Sequence, residues 1–108
     1  MISTLEKLIG TPRDGALLRY SLGLEYAKAG RHEDAVAQLR EAVTRDPGYS
    51  AAWKMLAKSL TETGALADAL EAYRRGIDAA QRKGDRQAEK EMTVFARRLE
   101  KRLRPETG

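Results

Sequence analysis

The sequence predicts an all-α fold built from antiparallel helix pairs, and three observations predict it. Ala, Leu, Glu, Arg and Lys dominate the 108 residues, and all are strong helix formers. The prolines, Pro12, Pro47 and Pro105, each stand where a helix would begin or stop. No alternating apolar and polar run is long enough to propose a strand.

The elements follow in order. Ile2, Leu5, Leu8 and Ile9 give a short amphipathic piece, ended by Gly10-Thr11-Pro12. Asp14 is placed to cap a helix over about 16–29, with Gly30 after it as a C′ glycine. A helix over about 33–45 presents Ala35, Val36, Leu39, Ala42 and Val43 on one stripe, and Asp46-Pro47-Gly48 stops it. Ser50 is expected to cap a helix over about 51–62, ended by Thr63-Gly64. A helix over about 66–82 carries Leu66, Leu70, Tyr73, Ile77 and Ala80. Lys83-Gly84 breaks it, and Asp85 caps a last helix running to about Leu103.

A 34-residue shift aligns the chain with itself. Leu22 meets Leu56, Gly30 meets Gly64, Asp34 meets Asp68, Ala35 meets Ala69 and Arg40 meets Arg74. Val36, Leu39 and Val43 meet Leu70, Tyr73 and Ile77. The matches fall at the helix break and where two helices must touch, so the repeating unit is helix–turn–helix. Small residues at Gly23, Ala35, Ala42, Ala57 and Ala69 let paired backbones approach, and Leu22, Tyr26, Trp53, Leu56 and Tyr73 fill the space beside them.

The unit resembles the tetratricopeptide repeat, over roughly 68 of the 108 residues. The first copy offers Leu22, Gly23, Tyr26, Ala35, Leu39, Ala42 and Pro47 at the family's signature positions. The second offers Trp53, Leu56, Ala57, Leu60, Ala69, Tyr73 and Gly76. Departures are Arg19, Leu39 and Leu60 for bulky or aromatic residues, and Gln81 for the terminal proline, so the fourth helix is expected to run on past Arg82. The resemblance implies two repeats in a short right-handed superhelical stack. The expected division is one domain: an N-terminal segment 1–15, repeats 16–49 and 50–83, a capping helix 84–104 and a tail 105–108. Neighbouring units bury one another's faces, and two units need closed ends. The N-terminal segment and the last helix are expected to close them.

Little in the sequence points to chemistry. With no Cys and one His, disulfides, thiolate sites and multi-histidine metal sites are excluded, and no metal or cofactor is expected. No two glycines stand two apart, so no phosphate-cradling G-x-G exists. His32 is read as a solvated turn residue, and Glu33-Asp34 as first-turn charge favourable to the helix dipole. No enzyme activity is expected. No apolar run reaches the ~18–20 residues of a membrane span, and no signal segment is visible, so the chain is expected to be cytoplasmic.

The resemblance implies non-catalytic protein binding, an adaptor or scaffold whose concave groove holds a peptide. Groove positions of the family fall on Leu17, Tyr20, Leu24, Ala27 and Lys28, then on Ala51, Lys54, Lys58, Thr61 and Glu62. Lys54 and Lys58 share a helix face. Tyr20, Leu24, Lys28, Lys54 and Lys58 form the expected peptide-binding set, suited to a partner with an acidic group beside an apolar side chain. The alternative is that Ile2, Leu5 and Leu8 cover Tyr20 and Leu24, leaving the lysines solvated. Some relatives grip a C-terminal carboxylate with lysines and asparagines at groove positions. This chain has no Asn, so that clamp is not expected.

Residues 1–81 carry 11 basic and 11 acidic side chains, and residues 82–108 carry nine and five, so the whole +4 surplus is C-terminal. On the last helix Ala88, Met92, Phe95, Ala96, Leu99 and Leu103 make one stripe. Arg86, Lys90, Arg97, Lys101 and Arg104 make a basic face opposite. That face offers the alternative function, binding of a polyanion or nucleic acid. Its aromatic interleaving is missing, which weighs against nucleic acid, and the apolar stripe is claimed by the core, which weighs against a membrane. A monomer or weak homodimer is expected.

Overall fold

The computed structural model describes residues 1–105 and contains six helices and, among these residues, no strand. They are α1 (Ile2–Glu6), α2 (Ala16–Lys28), α3 (His32–Arg45), α4 (Ser50–Glu62), α5 (Leu66–Lys83) and α6 (Arg86–Leu103). Residues 106–108 of the expected tail lie outside the described residues. The chain measures 53 × 30 × 18 Å, and its radius of gyration is 14.4 Å. A compact globule of this length would have about 13 Å, so the molecule is drawn out along its stack.

Each helix packs on the next in sequence, as antiparallel hairpins do. In addition α2 packs on α4 and α4 on α6, whereas the backbones of α3 and α5 stand apart and are bridged by the Arg40–Asp68 ion pair at 3.8 Å. The layer α2–α4–α6 is therefore the tight, concave side of the stack, and α3 and α5 fan apart on the other side. α6 stands against α5 and α4 as the first helix of a further unit would.

Glycine makes both intra-unit turns. Gly30 (φ 76°) and Gly64 (φ 84°) sit 34 residues apart in the left-handed region. After each, an amide reaches back five residues, Arg31 N–H to Tyr26 O (2.9 Å) and Ala65 N–H to Leu60 O (3.0 Å), the Schellman closure of a helix end. The core runs through the whole stack. Leu22, Ala35, Leu39, Ala42, Leu56, Ala57, Ala69, Tyr73, Ala80, Met92 and Leu99 are all buried in it. Without a terminal proline in the second unit, α5 runs to Lys83, past Arg82 as expected.

Two expected caps are corrected. Asp14 does not cap α2, whose N-cap is Gly15 without any side-chain bond. Its carboxylate instead takes two bonds from the Arg19 guanidinium, at 2.9 Å each, and one from Gly10 N–H at 2.9 Å. A bidentate charge-assisted pair outcompetes a single neutral capping bond. Arg19 also donates to Gln38 on α3 (3.1 Å), and Arg45 approaches Asp14 at 3.5 Å. The arginine in the slot for a bulky residue therefore joins α2 to α3 by polar contacts. Ser50 is the first residue of α4, not its cap, and is buried. Asp85 does cap α6, accepting from Ala88 N–H at 3.1 Å.

Candidate functional site

The concave layer brings together some of the expected groove residues and separates others. Tyr20 is half-buried on α2, its ring 4.9 Å from that of Tyr49 just before α4. Leu24 is half-buried one turn on. Lys28, at the C-terminal end of α2, is exposed and reaches Glu25 on its own helix at 3.7 Å. Within the N-terminal segment α1 packs on α2, Ile2, Leu5 and Leu8 lie against the core, and Asp14 meets Arg45 of α3.

Lys54 and Lys58 both point toward α6, with different outcomes. Lys54 forms an ion pair with Glu91 of α6. This ammonium, with help from Gln87, holds the Glu91 carboxyl below the usual range. Lys58 is in no ion pair among the described residues, and its Nζ lies 5.7 Å above the centre of the Phe95 ring. Phe95 stacks on Tyr73 (5.7 Å, 11°), whose phenol burial pushes up to about 12. The Arg98 guanidinium stands 5.5 Å over the same Phe95 ring.

Lys58 lines one hollow and lies over Phe95, which lines a second. The first lies where α2 and the α2–α3 turn meet α4, has a volume of about 190 Å³, and is lined by Ala27, His32, Met55, Lys58, Ser59 and Glu62. Two buried polar atoms on its lining residues, His32 Nδ1 and Ser59 Oγ, have no hydrogen-bond partner. The second lies where α4 and α5 meet α6, holds about 160 Å³, and is lined by Thr61, Tyr73, Phe95, Arg98, Leu99 and Arg102. Its walls are mainly apolar and its charged rim is arginine. Neither Arg98 nor Arg102 is in an ion pair among the described residues.

His32 is thus not the freely solvated turn residue expected of it: it opens α3, and the neighbouring unit's Ser59 and Glu62 share its hollow. The sequence reasoning also missed Phe95, Arg98 and Arg102 as groove residues. Their spacing (i, i+3, i+7) was a usable signal, since it places two cations beside the apolar stripe. The five residues of the basic face, Arg86, Lys90, Arg97, Lys101 and Arg104, are all exposed. No ion pair among the described residues involves them; α6's Glu89 and Glu100 face α5 instead, meeting Gln81 and Arg74. Among the described residues no group of three His, Asp or Glu could hold a metal ion, and no helix is long and apolar enough to cross a membrane.

Paired helices at a 34-residue period, touching through their first helices and followed by a further helix packed on the second pair, define a helical-repeat protein with a concave groove. The chain belongs to the tetratricopeptide repeat family, whose model matches residues 20–84. It is 48% identical over 101 residues to a TPR repeat-containing protein of Pseudomonas aeruginosa, covering 94% of this chain and 96% of that one. It resembles a solution structure of a Bordetella parapertussis protein (TM-score 0.79, 41% identity, 94% of this chain and 89% of that one). A tetratricopeptide repeat domain protein of Salinibacter ruber also matches (TM-score 0.77, 27% identity, 90% and 96%).

Proposed function

We propose that this chain is a non-catalytic binding module that holds a peptide segment of a partner protein in the groove over α2, α4 and α6. Tyr20, Leu24, Lys28, Lys54 and Lys58 form its ligand-facing set, and an acidic group of the peptide sits at Lys58. The observation that carries this is an ammonium with no carboxylate partner among the described residues, standing beside a half-buried aromatic ring in a concave layer. Lys54 is a weaker contact, because a ligand carboxylate must compete with Glu91 for it.

The test is Lys58→Glu, probed on an immobilised array of random-sequence peptides. Lys58 is exposed and makes no ion pair among the described residues, so the variant should stay folded by circular dichroism and lose no more than the ~0.5–1 kcal/mol of its cation–π contact with Phe95. Binding to acidic peptides should fall at least about tenfold, the scale of losing a charge pair and gaining a repulsion. Unchanged binding to the same peptides would refute the groove assignment. A second reading, polyanion binding on the outer face of α6, is favoured by the five exposed cations there that make no ion pair among the described residues.

A further inference from the structure

The two hollows beside Lys58 differ in chemistry, and the difference points to a particular ligand. The α4–α6 hollow has about 160 Å³, comparable to the ~150 Å³ cavity that accepts a benzene-sized group. The stacked rings of Tyr73 and Phe95 line it together with Leu99. Arg98 and Arg102 also line it, both exposed and neither in an ion pair among the described residues, and the Lys58 ammonium and the Arg98 guanidinium lie over the Phe95 ring. Two arginines on an apolar recess, with a lysine over one of its rings, favour a carboxylate next to an apolar side chain.

The α2–α4 hollow asks for something else. Ser59 is only 2% exposed, and its Oγ and His32 Nδ1 are buried without a partner. A buried polar atom left unsatisfied costs roughly 1–3 kcal/mol of desolvation, so a ligand group that bonds to it gains what the free protein lacks. The Glu62 carboxylate at the rim disfavours an anion there. A neutral N–H or O–H donor fits: the side chain of Asn, Gln, Ser or Thr. Lys58 lines this hollow and also overlies Phe95, so it lies between the two recesses.

We infer that the groove reads a tripartite peptide motif: a neutral hydrogen-bond donor side chain at His32 and Ser59, an acidic side chain at Lys58, and an apolar side chain under Arg98 and Arg102. Phe95, Arg98, Arg102, Ser59 and His32 are then specificity-determining residues. The proposal rests on the reading of the groove as a peptide site.

The peptide array separates the two claims. Wild-type protein should enrich acidic peptides carrying an apolar residue on one side of the acid and Asn, Gln, Ser or Thr on the other. The double variant R98E/R102E should lose about tenfold or more in affinity and lose the preference for the apolar neighbour. Ser59→Ala should keep the acidic and apolar preferences but flatten the donor position. Removing a hydroxyl that has no partner should leave the melting temperature equal or higher, which separates this variant from a folding defect. Circular dichroism checks the fold of the double variant. Peptides whose binding is weakened by Lys58→Glu but untouched by both other variants would overturn the motif while leaving the groove reading standing. No enriched peptide, or enriched peptides indifferent to Lys58→Glu, would overturn both.

Discussion

Single residues carry the close approaches that hold each unit together. A Cβ added at Gly23 would lie 2.5 Å from Leu39 Cγ and 2.7 Å from its Cδ2, and Leu39 is fully buried. At Gly76 the Cβ would meet Met92 Sδ at 2.5 Å and Trp53 Cβ at 2.9 Å. Gly23→Ala should therefore destabilise by about 1–3 kcal/mol, the usual scale of overpacking, despite alanine's better helix propensity. Gly76→Ala meets the flexible end of Met92 but also a Cβ that cannot swing away, and should fall in the same range. Denaturant midpoints of both variants check this; a stability equal to or above wild type would mean the helices can move apart freely. Asp14 makes the other prediction. Its carboxyl is held well below the ordinary 3.8 by hydrogen bonds from Arg19 and then Gly10, with Arg19 and Arg45 charges assisting. A lowered folded pKa contributes stability that is present above the ordinary value and is lost as pH falls through the folded one. Stability should thus hold from neutral pH to about 4.5 and decline below about 4 as this carboxyl and others protonate. Asp14→Asn should lower the melting temperature at pH 7 and flatten part of that acid decline. Gly23 was readable from the repeat pattern as a small-residue position. The Asp14–Arg19 pair was not, because a cap and an ion pair look the same in sequence until the chain turns Arg19 back onto Asp14.

At the scale of the element, α6 is the piece whose role the sequence defined least. Its apolar stripe was legible from 100° periodicity, and Met92, Ala96 and Leu99 are indeed buried. What the stripe could not say is which side chains flank the contact with α4. Glu91 ties to Lys54, and Phe95 stacks with Tyr73 and carries two cations over its ring. Those are tertiary facts, set by where α5 ends. Four residues longer than α3, α5 carries Gly84 (φ 73°) beyond the reach of a 34-residue repeat, and α6 turns back from there. Ending the chain after Gly84 would uncover the Tyr73 and Gly76 face of α5 and remove Met92 and Leu99 from the core, each worth about 1.5–3 kcal/mol of burial. Total stability of such domains is about 5–15 kcal/mol. The truncated chain should be largely unfolded or self-associated by circular dichroism and light scattering; a well-folded monomer would show that two units need no terminal helix.

For the whole molecule, the distribution of charge separates the two readings of function. The net +4 comes entirely from residues 82–108, and residues 1–81 are neutral. Much of the surplus faces away from the stack: Arg86, Lys90, Arg97, Lys101 and Arg104 lie opposite the packed stripe of α6. A polar outer face is what a terminal helix needs to keep the stack from growing, so solubility alone accounts for this ridge. The groove cations are different. Lys58 and Arg98 lie over an aromatic ring, and Arg98 and Arg102 rim an apolar recess where burial of a side chain adds to charge attraction. Salt should therefore discriminate. Binding of a fluorescent DNA duplex should be weak, in the ~10⁻⁴–10⁻⁶ M non-specific range, and should collapse between 50 and 200 mM salt. The double variant K90E/K101E should reduce it further and leave peptide binding alone. Binding of an acidic peptide with an apolar neighbour should lose much less over the same range, because part of its free energy is buried surface that salt does not screen. Duplex binding that persists at 200 mM salt, and that K90E/K101E abolishes, would make the outer face of α6 the functional surface and reduce the groove lysines to solvated side chains.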